Sequence, residues 1–222
     1  MTDNGEKLKK TRIRSFFLNL KEESKTSSSR EQKDKSKKDG LTYKKMKLPI
    51  NKITPELKTR IKDQIDPHIL TTEVREAQEK DLRSLLDIYN RAWMTSNTPF
   101  NPMEFDSLKK LYKDPDIIIL IAKLYGKDVG FIILDFEGEN KEYGVIAGIG
   151  VIPRQQRKGI GKVLAMEAWK ILNQKDIDEL RCEVYKKNDV AYNYIKSIGF
   201  EEYDTVTYKK EDFESISSET CV

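Results

Sequence analysis

One histidine, His68, and two cysteines, Cys182 and Cys221, are all that the 222 residues contain of those two types. A single histidine leaves no basis for a multi-histidine metal centre or a serine-histidine relay, so no metal is expected. Two cysteines, one in a predicted strand and one near the end of the chain, give no disulfide framework and make a reducing cytoplasm the expected setting. No apolar run approaches the roughly twenty residues of a membrane-spanning helix, and the N-terminus carries no secretory apolar core. Large apolar side chains are also scarce through the first forty residues, where Lys and Ser dominate. Such a segment buries too little surface to offset the entropy of ordering it, and disorder is expected there.

Charge divides the chain. Residues 1–68 hold 19 Lys and Arg against 10 Asp and Glu, whereas the whole chain holds 41 against 37, so the remainder is net acidic. The expected organisation is a basic disordered tail over 1–48, a linker with a short helix over 49–68, a globular domain over 69–212 and a flexible tail over 213–222. Within the first tail, Ile13, Phe16, Phe17, Leu18 and Leu20 beside Arg12, Arg14 and Lys21 fit a short basic amphipathic helix for a membrane or partner. Lysines 33, 35, 37, 38, 44, 45 and 47 are compatible with weak, sequence-independent nucleic-acid binding. Tyr43 is the lone aromatic among them, so base stacking has little to work with.

Periodicity supplies the globular part. Thr54-Pro55 opens a helix as hydroxyl cap and first-turn proline, with Leu57, Ile61 and Ile65 on one face. A strand is predicted near 71–77, then a helix over 81–94 with Leu82, Leu85, Leu86, Tyr89 and Trp93 on its apolar face. Asn101-Pro102-Met103-Glu104 reads as the start of another helix. Residues 117–122 and 129–136, joined through Gly126-Lys127-Asp128, read as an antiparallel pair. A strand near 142–152 contains Ala147-Gly148-Ile149-Gly150, and glycine inside a strand marks a bulge or a close backbone approach.

The stretch 151–161, Val-Ile-Pro-Arg-Gln-Gln-Arg-Lys-Gly-Ile-Gly, carries the most chemistry. It follows a strand and opens a helix with apolar residues at Ile160, Val163, Leu164, Ala168, Ile171 and Leu172. Unpaired N–H groups at a helix N-terminus attract an anion, Gly159 and Gly161 allow close backbone approach, and Gln156, Arg157 and Lys158 add donors. A dinucleotide loop needs a third glycine where Leu164 stands, and a nucleoside triphosphate loop needs Ser or Thr where Val163 stands.

Val151, Pro153, Gln156, Gly159 and Gly161 instead resemble the acyl-coenzyme A loop of the GCN5-related N-acetyltransferases (GNAT), and Asn188, Ala191, Gly199 and Phe200 resemble the second half of that pattern. The resemblance runs over about residues 69–210, because Val74-Arg75-Glu76-Ala77 with Asp81 and Leu82 looks like the family's first strand and helix. It implies an α/β fold with a mixed sheet of about six or seven strands, splayed between the fourth and fifth, and about four flanking helices. It further implies acetyl-CoA as co-substrate, held by Ile149, Gly150, Val151, Gln156, Arg157, Lys158, Gly159, Ile160, Gly161 and Asn188.

Glu183 matches a base proposed in ribosomal-protein and N-terminal-amine acetyltransferases of the family, where a carboxylate takes the proton of the acceptor ammonium. A structural pairing of Glu183 with Arg181 or a lysine is the alternative, and Glu142 and Tyr185 are weaker substitutes as base. Seven residues after Asn188, where many relatives carry a tyrosine that protonates the leaving sulfur, this chain has Ile195. The neighbouring Tyr194 is the available hydroxyl, about 100° away on an ideal helix. A thiol of pKa about 8.5 can leave as thiolate without an acid. The missing hydroxyl also keeps open a non-catalytic acetyl-CoA sensor or a nucleic-acid-associated adaptor. The expected acceptor is a primary amine of a protein or peptide, with a polyamine-like small molecule as alternative. Thr95 to Asn101 and the acidic Glu201, Glu202 and Asp204 would shape and charge its cleft.

Overall fold

A computed structural model describes residues 40–209 apart from 97 and 99–101. Residues 1–39 of the expected N-terminal tail and the expected tail over 213–222, with the apolar cluster near Phe16 and lysines 33–38, lie outside the described residues.

Seven strands form one sheet: β1 (Leu41–Pro49), β2 (Glu73–Glu76), β3 (Ile118–Leu124), β4 (Lys127–Glu137), β5 (Tyr143–Val151), β6 (Glu179–Tyr185) and β7 (Glu201–Tyr208). Their order is β2-β3-β4-β5-β6-β1-β7, and every neighbouring pair is antiparallel except β5 with β6. Five α-helices cover it: α1 (Pro55–Lys62), α2 (Leu82–Met94), α3 (Phe105–Tyr112), α4 (Ile160–Leu172) and α5 (Asp189–Ser197).

β4 lies inside the sheet and is apolar on both faces. Phe131 and Ile133 pack under α2 and α3 with Leu85, Ile88, Tyr89, Leu108 and Leu111, while Ile132, Leu134 and Phe136 join the core beneath α4 with Leu164, Ala168, Trp169 and Leu172. Burial on both faces explains why this strand shows a continuous apolar run instead of alternation. The helix expected to open at Asn101 begins later, at Phe105, where no side chain caps it. Met103 instead donates its N–H to Asn90 Oδ1 on α2 at 3.1 Å, which holds the chain off the helical path.

The largest correction concerns the N-terminal side. Residues 41–48 are not tail: β1 is inserted between β6 and β7, in register from Tyr43↔Tyr185 to Pro49↔Glu179 and from Leu41↔Tyr208 to Lys47↔Glu201. Burial decides this, because Met46 and Leu48 are fully buried on the α4 face while Lys47 between them points the other way. The lysines of β1 are not a phosphate-tracking row. Lys44 pairs with Glu202 at 3.0 Å, Lys45 with Asp204 at 3.1 Å and Lys47 with Glu179 at 3.8 Å. Since Lys52 also meets Glu201 at 2.9 Å, the acidic residues of β7 that were expected to attract an acceptor are engaged within the chain.

The segment expected to be a linker is equally integrated. Thr54 caps α1 by accepting from Leu57 N–H at 3.2 Å, and Leu57, Ile61 and Ile65 enter the core. The splay expected between a fourth and a fifth strand falls between β5 and β6, the same two strands counted after β1.

Candidate active site

Pairing between β5 and β6 runs from Tyr143↔Glu179 to Ile146↔Cys182 and stops there, although β5 continues to Val151 and β6 to Tyr185. Beyond that point the strands diverge, and β5 is bulged against β4 between Ile133 and Leu134. The wedge widens into a cleft of about 980 Å³ including its open mouth, lined along its floor by Ala147, Gly148, Ile149, Cys182, Val184 and Ile195. An extended chain with amide groups can enter such a wedge and pair with backbone that has lost its strand partner.

At the end of β5 the chain turns through the short 3-10 segment Pro153–Gln155 into α4. Gly159 occupies the N-cap position in the left-handed region, with φ 100°, and no side chain caps α4. No capping side chain from Gly159 occupies the N–H groups of Ile160 and Gly161, the geometry that favours an anion at a helix N-terminus. Arg157, at φ 62°, and Lys158 are exposed beside them, and Lys158 donates to Gln155 Oε1 at 3.0 Å. Gln156 turns back: its Nε2 donates to Val151 O at 2.9 Å, tying the loop to the strand it leaves. Ile160 can offer only backbone, because its side chain is buried in the core.

Two glycines have packing reasons that the motif does not express. A Cβ on Gly150 would sit 2.6 Å from Phe131 Cε1, so this glycine lets α2 and Phe131 close on β5. A Cβ on Gly161 would meet the Tyr194 ring at 3.1 Å, where α5 crosses α4.

Asn188 caps α5, accepting from Ala191 N–H at 3.0 Å, and its amide donates to Thr98 Oγ1 at 2.8 Å and Ser96 Oγ at 3.2 Å. Of the two roles open to it, the observed contacts are those of fixing the helix, with Ser96 and Thr98 tethered as well. Tyr194 departs from its expected role. Its hydroxyl donates to Gly161 O at 2.7 Å, and burial pushes its pKa up, so its proton is committed to a backbone carbonyl instead of being available to a leaving group. Tyr194 and Ile195 both line the cleft, and Ile195 brings no proton.

Glu183 lies in the cleft as expected. Arg181 is not its partner: that guanidinium pairs with Glu179 at 2.8 Å and stacks over Tyr143 at 3.4 Å from the ring centre. Instead the Tyr208 hydroxyl donates to the Glu183 carboxylate, 2.9 and 2.8 Å from its two oxygens. Glu142 sits in the β4–β5 turn, where it accepts from Asn140 N–H at 3.0 Å.

Three residues of the cleft escape the sequence reading. Asp135 and Glu137, only 1% and 7% exposed, line it from β4, and Tyr43 lines it from β1. The available signal for Asp135 was a charge inside the apolar run from Phe131 to Phe136, since a carboxylate is rarely buried without a reason. Register explains the gathering: Asp135 pairs with Val145 on β5, Val145 with Arg181 on β6, and Lys45 and Tyr43 on β1 with Glu183 and Tyr185. Paired residues share a face, so the carboxylates of β4 and β6 meet on the half of the sheet that α2 and α3 leave uncovered. The buried Cys182 thiol, pushed up in pKa by burial and by Glu183, remains neutral in the floor.

The sequence profile of the acetyltransferase (GNAT) family matches residues 82–200. A spermidine N(1)-acetyltransferase from Thermoplasma acidophilum is 24% identical over 151 residues, which covers 61% of this chain and 92% of that protein. Among solved structures, the PaiA N-acetyltransferase of the same organism in complex with coenzyme A superposes with a TM-score of 0.51 at 24% identity, over 62% of this chain and 99% of that one. The ribosomal-protein-S18-alanine N-acetyltransferase from Escherichia coli gives 0.52 at 20% identity, over 60% and 80%. These likenesses carry the fold. β1 and α1 lie outside the residues that the profile matches.

Proposed function

Because the chain belongs to the GNAT acetyltransferase family, matched over residues 82–200, we propose that it moves an acetyl group from acetyl-CoA to a small cationic primary amine. The observation that carries the choice of acceptor is the gathering of Asp135, Glu137 and Glu183 on one cleft at the splay. Carboxylates held in a low-dielectric recess attract an ammonium ion far more strongly than exposed ones. The protein or peptide acceptor first expected would need an open cleft. With β1 filling the place beside β6, that side is walled, which favours a small molecule. The relative from Thermoplasma acidophilum, whose name gives spermidine as its substrate, supports the same reading.

The pyrophosphate of acetyl-CoA would rest against the uncapped N-terminus of α4, with Arg157 and Lys158 beside it, and the pantetheine arm in the wedge between β5 and β6. The thioester supplies the activated acyl group. Attack requires a neutral amine, and Glu183, oriented by Tyr208, takes the proton directly or through one water. The amine nitrogen bonds to the acyl carbon, the carbon–sulfur bond breaks, and the thiolate of CoA leaves without a side-chain acid, consistent with Ile195 and with the bound proton of Tyr194. Asp135 and Glu137 would hold a second cationic group of the acceptor.

The reading is tested by thiol release from acetyl-CoA against diamines, polyamines and Lys-containing peptides. The expected result is turnover selective for the small polycations, reduced by about 10²- to 10⁴-fold in Glu183→Gln with acetyl-CoA binding retained. Turnover confined to peptides would refute the acceptor assignment, and an unimpaired Glu183→Gln would refute the base.

A further inference from the structure

Tyr43 is 5% exposed, and its hydroxyl, buried at the cleft, has no hydrogen-bond partner among the described residues. A buried hydroxyl without a partner destabilises the fold unless something else binds it. Its surroundings specify what would fit. Tyr185 lies 5.5 Å away between ring centres at 54°, and Tyr208 lies 5.8 Å away at 62°. The Tyr208 hydroxyl is engaged with Glu183, and the Tyr43 oxygen is the buried hydroxyl of this group that has no partner among the described residues. Two tilted aromatic faces, a carboxylate and a hydroxyl make a recess for an alkylammonium group, through ring quadrupoles, charge and a hydrogen bond together.

We propose that β1, although outside the matched family region, completes the acceptor site: the Tyr43 hydroxyl accepts an N–H of the acceptor amine within the recess formed with Tyr185, Tyr208 and Glu183. This rests on the acceptor reading above and names the group that recognises the reacting nitrogen. Burial, with Tyr185 and Glu183 nearby, raises the pKa of Tyr43, so the group stays a neutral hydroxyl with lone pairs to offer. Tyr43 thus binds the amine, and Glu183 removes its proton.

Tyr43→Phe in the full chain keeps the ring and removes the oxygen. The expected result is a KM for the amine raised about tenfold, as for one hydrogen bond to a charged group. The KM for acetyl-CoA should stay unchanged, and the melting temperature should be equal or higher, because an unpartnered hydroxyl has gone. An unchanged amine KM, or a variant that melts lower and weakens both substrates alike, would overturn the assignment. Calorimetric titration of putrescine into wild type and variant separates the two readings. Binding that depends on Tyr43 without turnover would sink the transferase reading and leave the subsite standing. Turnover equal in both proteins would do the reverse.

Discussion

Tyr194→Phe discriminates sharply between a strut and an acid. The ring packs on Gly161, where a Cβ would approach it to 3.1 Å, and the hydroxyl donates to Gly161 O at 2.7 Å. Phenylalanine keeps the first contact and loses the second. One buried hydrogen bond contributes about 1 kcal/mol, which in a domain of this size lowers the melting temperature by roughly 2–4 °C. An acid that protonates the leaving sulfur would instead contribute about 10²- to 10⁴-fold to kcat. Thermal unfolding and steady-state kinetics at saturating substrates, with kcat followed against pH, read both quantities on one protein. We expect the loss of stability with kcat changed by no more than about twofold, the scale of an indirect effect. A hundredfold fall in kcat with loss of the alkaline limb and an unchanged melting temperature would refute the reasoning, because α5 would then have to turn this hydroxyl toward the sulfur.

Two further outcomes follow from local geometry. Gly159→Ala places a Cβ at φ 100° and 3.0 Å from Ile65 Cγ2, 3.2 Å from its Cα. The left-handed conformation alone costs about 1–2 kcal/mol, so lower stability and a several-fold higher KM for acetyl-CoA are expected, and a variant normal in both would contradict the loop assignment. Asp81→Asn probes the hinge between β2 and α2, where Arg75 grips both carboxylate oxygens at 2.7 and 3.0 Å and Gln78 N–H donates at 2.8 Å. The Arg75 hydrogen bonds, with the Gln78 N–H, hold Asp81 down at about 2. A carboxyl depressed in the folded state stabilises above its unfolded pKa of about 3.9 and loses that contribution as pH falls toward the folded value. The stability gap between wild type and variant should be about 1–2 kcal/mol at neutral pH and should narrow below pH about 4. A gap independent of pH by urea titration would mean that shape, not charge, matters there.

The helices were legible because their periodicity is undisturbed, Leu82, Leu85 and Tyr89 recurring at helical spacing and Ile160, Leu164, Ala168 and Leu172 doing the same, and β4 was legible as a continuous apolar run. β1 was hidden by its lysines. In Leu-Thr-Tyr-Lys-Lys-Met-Lys-Leu-Pro only Tyr43, Met46 and Leu48 are buried, and Tyr43 is buried on the opposite face from the other two, so no simple apolar alternation reveals a strand. The lysines make sense only once Glu202 and Asp204 stand opposite, which no local window contains. The late start of α3 was hidden for the same reason, since the hydrogen bond from Met103 N–H to Asn90 joins two elements.

The two halves of the site differed in legibility because they are made of different material. An anion cradle is built from consecutive backbone N–H groups, so its residues must be neighbours in sequence and its glycines must fall at fixed intervals. Gly159 and Gly161 accordingly announced it. The proposed acceptor half is built from side chains: Asp135 and Glu137 on β4, Glu183 and Tyr185 on β6, Tyr43 on β1 and Tyr208 on β7. Nothing about their spacing is constrained, because the sheet order and not the chain brings them together. Glu183 was found only because it sits five residues before the cap of α5, inside a motif. Tyr43 had no such neighbour, and what exposes it is a physical inconsistency that a motif cannot contain: a buried hydroxyl without a partner among the described residues. In a family whose members share a cofactor loop and differ in acceptor, specificity is therefore to be sought in the residues that the shared pattern leaves out, and here those residues include a strand that the family profile does not reach.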